Sequence, residues 1–413
     1  MLRWLKINRY RNVVPGTELA FSEGHHVLLG PNGGGKTTLL ELIAAVLRGD
    51  FSGLADEEFS IEYRISRSGF RLDVALSHIR TMSQNPSPAP VWSNTLAATV
   101  RQGEGEGESS VDFADNKILV NGIKAGGYRV DITGIRLHRN LINAYKVSAA
   151  AGTVRPPDFT SDGAVRFDEA LVFFSFMRGN GAMDGQPASL SLSVQTQAPR
   201  RVLWGAFHSL LSKAYSSFSN AVLKTDDVDR ITVPLSDLGF LGDAVELMGF
   251  QSGTYRAELE RQERMDKEER LTYERFQFRF VRRDGTMVLD EHLSFGQKRL
   301  LAFLFYAWAN DGPIVADELV DGMHYRWIEH CLKTIRGRQA FLSSQNPLLM
   351  DFIGFDSAEK VQQTFVICDV EESDGRERMR WRNLTADEAG DFFNAYEVGI
   401  QHVSEILRDK GLW

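Results

Sequence analysis

The sequence predicts a mixed α/β fold, with a central sheet flanked by helices, an antiparallel β subdomain and a mostly helical insertion lobe. Three observations predict it. A glycine-rich loop, "GPNGGGKTT" at residues 30 to 38, stands between a short apolar run and a segment whose apolar residues recur at helical spacing. Downstream runs alternate apolar and polar residues with the period of two that half-buried strands require. Short apolar runs return after residue 276, beyond a stretch from 135 to 275 whose patterning is mostly helical.

Taken in order, "RWLKI" reads as a strand, "NRYRN" as a polar turn and "HHVLLG" as a second strand. In "KTTLLELIAAVLRG" the residues Leu39, Leu40, Ile43 and Val46 share a helical face, and Gly49 supplies the stop. "FSIEYRIS" sets Phe59, Ile61, Tyr63 and Ile65 on one side of a strand, and "FRLDVALS" repeats the pattern after the turn "SRSG", which predicts a hairpin. Asn121-Gly122 in "LVNGIK" signals another tight turn, whereas "SQNPSPAP" and "RQGEGEGESS" read as surface loops.

"DEALVFFSFMRG" and "RRVLWGAFHSLLSKAYSSFSNAVL" are expected to be helical, and the charged stretch "TYRAELERQERMDKEERLTYERF" to be a solvated helix. "FQFRFVRRDGTMVL" restores strand alternation, and "LSFGQKRLL" opens an apolar helix continuing through "AFLFYAW". "PIVADE", "RQAFLSSQNP" and "TFVICDV" read as short buried strands. At the end, Thr385 and Glu388 form a capping-box pattern, and Phe392, Tyr396, Ile400, Val403 and Leu407 fall on one face of a closing helix. The expected organisation is therefore 1–134 with the phosphate loop and hairpins, 135–275 as the insertion, 276–385 as the second part of the core, and 386–413 as the closing helix.

Composition narrows the classes. The 413 residues are 43% hydrophobic and 25% charged, as in ordinary globular proteins, and a formal charge of −8 excludes a global basic field for nucleic acid. Two cysteines, Cys331 and Cys368, make no disulfide framework and fit a reducing cytoplasm. The start lacks a signal-peptide core and no apolar run reaches membrane-spanning length, so a cytoplasmic protein without direct membrane insertion is expected.

Three constellations carry chemistry. Gly30 to Thr37 match G-x-x-x-x-G-K-[ST] in full: the loop from Asn32 through Gly33, Gly34 and Gly35 presents backbone N–H groups to phosphates, with Thr38 just behind it. Lys36 reaches the outer phosphates and the Thr37 hydroxyl can ligate Mg²⁺. "PIVADE" delivers Asp317 as the Mg²⁺ carboxylate and Glu318 to orient or deprotonate water. Ser294 and Gly296 at the mouth of the apolar helix make a second seat for an anion, and Ser294 is also a preferred helix cap.

The order phosphate loop, "LSFGQ", then "ADE" resembles the ATP-binding-cassette (ABC) superfamily, and the start "LRWLKINRYRNV" with "LSFGQKRL" and "DELVDGMHYRW" looks like its RecF/SMC-type and OLD-like, phage-defence branches. The resemblance covers about residues 1 to 80 and 275 to 370 and implies an ABC-type P-loop ATPase core using ATP and Mg²⁺. It implies a head-to-tail homodimer in which Ser294, Gly296 and Gln297 hold the γ-phosphate bound by the other copy, with Met323 and His324 near that copy. Arg11 and Asn12 lie where RecF-like proteins touch nucleotide. Gln345 stands at the switch position where many relatives have a histidine; it can donate a hydrogen bond to the γ-phosphate but cannot take up a proton. Gln84 and Gln102 are both candidates for the Mg²⁺-sensing loop. The expected partners are a second copy and a separate effector such as a nuclease, in phage defence or DNA maintenance. DNA is a candidate through the patches at Arg279, Arg282 and Arg283 and at Arg336 to Arg338, which also read as charged sheet edges. The competing readings are the nucleotide-binding subunit of a membrane transporter and an ATP-locked scaffold with very slow hydrolysis.

Overall fold

The structure, a computed structural model, describes residues 1–67, 69–81, 91–102, 110–114, 117–120, 123–127, 137–138, 141–142, 145, 173–175, 189–195, 203–204, 221, 229–264, 268–373 and 375–412. Gln84, the Asn121-Gly122 turn and most of the two segments expected to be helical between 168 and 223 lie outside them. The chain forms two compact units, one of Met1–Ser161, Gly337–Ser343 and Ile353–Trp413, the other of Asp162–Arg336 and Ser344–Phe352.

The first unit begins with β1 (Leu2–Tyr10), β2 (Thr17–Ala20), β3 (His25–Leu29) and α1 (Lys36–Arg48). Then come β4 (Phe59–Arg67), β5 (Phe70–Thr81), β6 (Val91–Gln102), β7 (Ser110–Ala114), β8 (Lys117–Val120) and β9 (Ile123–Gly127). They build an antiparallel sheet in the order β2-β1-β4-β5-β6-β7-β8-β9. The predicted alternation holds on β4, where Phe59, Ile61, Tyr63 and Ile65 are all buried. Phe51 stacks on Phe59, Tyr145 meets Phe70 edge-on, and the Tyr63 hydroxyl bonds His138 Nε2 at 3.0 Å. Each ring fills space that an alternating strand face leaves open.

The second unit holds β10 (Phe173–Ser175), β11 (Ser189–Gln195), β12 (Leu203–Trp204), β13 (Arg230–Pro234) and α2 (Gly239–Met248). It continues with β14 (Ser252–Arg264), β15 (Glu268–Val281), β16 (Met287–Leu289), α3 (Phe295–Ala309), β17 (Ile314–Asp317) and α4 (Tyr325–Thr334). Its antiparallel sheet runs β12-β11-β15-β14-β13, with β16 also pairing β15. The expectation of a solvated helix within 254–276 is thereby corrected: this stretch is the hairpin β14-β15, and the described part of 135–275 contains more strand than helix. Tyr255, Ala257, Leu271 and Tyr273 are buried at a spacing of two, and Glu258 pairs across the ladder with Arg275 at 3.3 Å. Cross-strand pairing outweighs the helix preference of Glu and Arg here. Against α3, Phe240 of α2 packs at 5.3 Å from both Phe305 and Trp308.

The chain re-enters the first unit with β18 (Ala340–Ser343), then α5 (Ala358–Thr364), β19 (Phe365–Ser373), β20 (Arg376–Asn383), α6 (Ala386–Val398) and α7 (Val403–Asp409). β3 lies between β18 and β19, parallel to both, and β20 closes against β19 antiparallel. The expected single closing helix is two: Gly399 at φ 69 ends α6 in the left-handed conformation, and His402 with Glu405 caps α7. Ile400, expected on the buried face, is 83% exposed in the break. The Thr385–Glu388 capping box forms as predicted, and Arg382 grips Glu388 at 2.7 and 2.8 Å, holding its carboxyl down at about 2.

Candidate functional site

In the first unit, the buried strand β3 ends at Leu29 and the loop turns at once into α1, whose first residue is Lys36. Two glycines are dictated by what lies behind the loop. A Cβ on Gly34 would sit 2.1 Å from the Cys368 carbonyl oxygen of β19, and one on Gly35, at φ 83, would sit 2.2 Å from Met379 Sδ of β20. Gly35 caps α1 without a side-chain acceptor, so the first turn of the helix offers N–H groups to an anion. Lys36 is buried, and its ammonium donates to the carbonyls of Gly30 at 2.7 Å and Pro31 at 3.1 Å, two of its three N–H groups. Asn32, Gly33 and Thr37 are exposed, and Thr38 is half-buried. A concentrated positive charge among converging amides, on a loop with no carboxylate of its own, fits a polyphosphate.

In the second unit, α3 starts with the capping box expected of Ser294 as a helix cap: Ser294 Oγ accepts from Gln297 N–H at 3.3 Å, and Gln297 Oε1 accepts from Ser294 N–H at 3.0 Å. The cap uses an oxygen lone pair of Ser294 and leaves the O–H as a donor. Gly296 is required by close approach, since its Cβ would meet the Gly322 carbonyl at 2.2 Å. β17 brings Asp317 to the end of a buried strand, 1% exposed, and Glu318 follows at φ 51, a left-handed conformation costly for a non-glycine residue. Glu318 Oε2 accepts from the backbone N–H of Gln345 at 2.9 Å. Glu318 and Gln345 therefore meet through the main chain of Gln345, a contact the sequence did not predict, while the Gln345 residue stays exposed.

Two contributors escape the sequence reading. Arg299, 1% exposed on α3, donates from Nη2 to the Asp317 carbonyl at 2.8 Å and from Nε to the Leu319 carbonyl at 3.0 Å, so it grips the main chain on both sides of Glu318. A charged residue set in the apolar run "RLLAFLFYAW" is its signal, because burial of a guanidinium demands acceptors. Trp381 of β20 donates from Nε1 to the Gly34 carbonyl at 2.9 Å across 347 positions of sequence, which no local pattern announces.

The remaining predicted residues have local uses. Arg11, at φ 44, donates to both oxygens of Glu57 at 2.7 and 2.8 Å and to Glu41 of α1 at 3.2 Å, and these bonds hold Glu57 below the usual carboxylate range. The Asn12 carbonyl accepts from Met379 N–H at 3.0 Å. Met323 is 7% exposed, whereas His324 is exposed and caps α4 through Arg326 N–H. Gln102 is exposed at the end of β6. Among the described residues no group of three or more His, Cys, Asp or Glu converges as a metal cage. The two residues expected to ligate Mg²⁺, Thr37 and Asp317, belong to different units, and each offers a hard oxygen of the type Mg²⁺ takes.

These features define a mixed α/β protein with a phosphate-loop core. A family profile described as an AAA domain matches residues 5–124, the span of the phosphate loop and most of the antiparallel sheet. Among solved structures, the chain is similar to the Smc head domain with an extended coiled coil bound to the C-terminal domain of ScpA from Pyrococcus furiosus. That match has 12% identity and a TM-score of 0.39, covering 96% of this chain and 99% of that one. The Smc head domain with a coiled coil and joint from Pyrococcus yayanosii matches at 10% identity and a TM-score of 0.37, over the same shares. No curated protein matches the sequence.

Proposed function

We propose that this chain is an ATPase of the ABC type, of the SMC/RecF-like group, that pairs head to tail with a second copy around ATP and Mg²⁺. One observation carries the reading: Arg299 ties the helix that begins at Ser294 to the turn that holds Glu318, so the two motifs of such a site form one packed piece. Lys36 and the amides of the loop offset phosphate charge, and bound Mg²⁺, held by Thr37 and Asp317, would supply further neutralisation. Glu318 accepts the proton of the attacking water. The Ser294 hydroxyl donates to the γ-phosphate carried by the other copy, so hydrolysis reports pairing. The output is clamping of DNA or signalling to a separate effector such as a nuclease, in phage defence or DNA maintenance. No helix among the described residues is long and apolar enough to cross a membrane.

The test is the solution mass of the parent and of Glu318→Gln, without nucleotide and with ATP and Mg²⁺. A mass doubled by ATP and retained by the variant, with hydrolysis reduced about 10²- to 10⁴-fold, is expected. A mass indifferent to ATP in both proteins sinks the proposed ATP-driven pairing.

A further inference from the structure

The phosphate loop is held from behind by a hairpin more than 300 residues away in sequence. The backbone of Cys368 on β19 lies against Gly34, and Met379 and Trp381 on β20 lie against Gly35. Trp381, 2% exposed, makes one directed bond in this contact, from its indole N–H to the Gly34 carbonyl at 2.9 Å. A trans peptide is planar, with its C=O and N–H pointing in opposite directions. With the Gly34 carbonyl drawn back to the indole, the N–H of Gly35 points the opposite way, away from Trp381. That N–H has no acceptor among the described residues.

We infer that Trp381 is a positioning residue for phosphate binding: its indole fixes the Gly34–Gly35 peptide so that the Gly35 N–H faces the bound phosphate. The inference rests on the reading of residues 30 to 37 as a phosphate loop and adds to it the residue that sets one of its donors. The indole bond and the phosphate bond then share one peptide, and each polarises the other. The N-terminal turn feeds the same brace, since Asn12 and Val14 exchange backbone bonds with Met379 at 3.0 and 2.9 Å.

The experiment uses the full chain and MgADP, with adenosine as the ligand that lacks phosphate. In the parent, MgADP binds and moves the assigned indole N–H resonance of Trp381, while adenosine leaves it in place. Trp381→Phe keeps an aromatic ring but removes the donor. It is expected to raise the Kd for MgADP about three- to tenfold, the equivalent of one modest hydrogen bond, alongside a lowered melting temperature from the smaller ring and the vacated carbonyl. If the parent binds MgADP but its indole resonance stays still, or if Trp381→Phe binds as tightly as the parent, the inference is wrong and the indole merely packs. A lowered melting temperature with unchanged affinity also overturns it. If the variant does not fold, the parent's resonance decides alone. A parent that binds no MgADP overturns the phosphate-loop reading itself, and the inference with it.

Discussion

The phosphate loop and the Ser294–Glu318 assembly solve the same problem, holding a turn of main chain still, by opposite means. Around the loop, support comes from close packing: Gly34 lies against the backbone of β19 and Gly35 against the side chains of Met379 and Trp381 on β20, at the other end of the chain. Around Glu318, support comes from a single buried guanidinium on Arg299, only 18 to 20 positions away from the carbonyls it holds. The first arrangement fails when a methyl group is added, the second when a charge is removed. Their sensitivities should separate accordingly.

The largest effect is expected in the second. Arg299→Met fits the apolar surroundings yet leaves the carbonyls of Asp317 and Leu319 without their donor. Two buried acceptors lost should cost roughly 2–5 kcal/mol of stability, read as a lowered urea midpoint, and hydrolysis should fall with Glu318 no longer held. If Arg299→Met unfolds at the same urea concentration as the parent, the guanidinium is not what holds this turn. Next in size comes Gly34→Ala. Its Cβ cannot coexist with the Cys368 carbonyl, so the loop must move, and a displacement on the order of 1 Å should weaken MgADP binding about a hundredfold. Calorimetric titration reads this directly. Near-parent affinity would mean that β19 yields instead.

How far these two regions are legible in the sequence follows the same contrast. The loop, the strand before it and the helix after it are local, and Gly30 to Thr37 spell them out, as do Ser294 with its capping box and the apolar run ending at Asp317. The hairpin β4-β5 is readable because its alternation puts apolar residues inside at every second position, with His78 the one polar residue among them. Trp381 is not, because its partner lies 347 positions away. Arg299 is partly legible, since an arginine in an apolar helix must find acceptors, but which carbonyls it finds depends on tertiary packing. The charged hairpin β14-β15 reads wrongly as helix because Glu, Arg and Lys carry helix propensity, while the buried Tyr255, Ala257, Leu271 and Tyr273 that set its period are outnumbered by solvated neighbours.

Acid offers a smaller and more selective probe. His26 on β3 is fully buried, and burial lowers its pKa to about 4. The unfolded chain therefore binds a proton near pH 6.5 that the folded chain refuses, so stability is full above that pH and declines as pH falls toward 4. Between pH 6.5 and 5 this residue should account for about 2 kcal/mol of lost stability. His26→Gln, which can keep a donor toward the Ser22 carbonyl, should flatten that part of the urea-midpoint profile. The guanidinium of Arg299 stays charged throughout, so the clamp on Glu318 has no matching acid sensitivity. An identical pH profile for parent and His26→Gln would show that the strand feeding the phosphate loop is not the acid-labile part.

The smallest effect tests how Gln345 contributes. Its position suggests a side chain that senses the γ-phosphate, yet its bond to Glu318 comes from the main chain. Gln345→Ala preserves that N–H, so Glu318 should keep its orientation and the turnover of ATP should change by less than about twofold, within what a lost exposed contact costs. Gln345→His adds a titratable ring but alters the same N–H as little, and it should raise turnover only if the side chain reaches the phosphate. A tenfold loss in Gln345→Ala, or a matching gain in Gln345→His, would move the action from backbone to side chain. The Glu318 turn would then depend on Arg299 for its shape and on Gln345 for its chemistry.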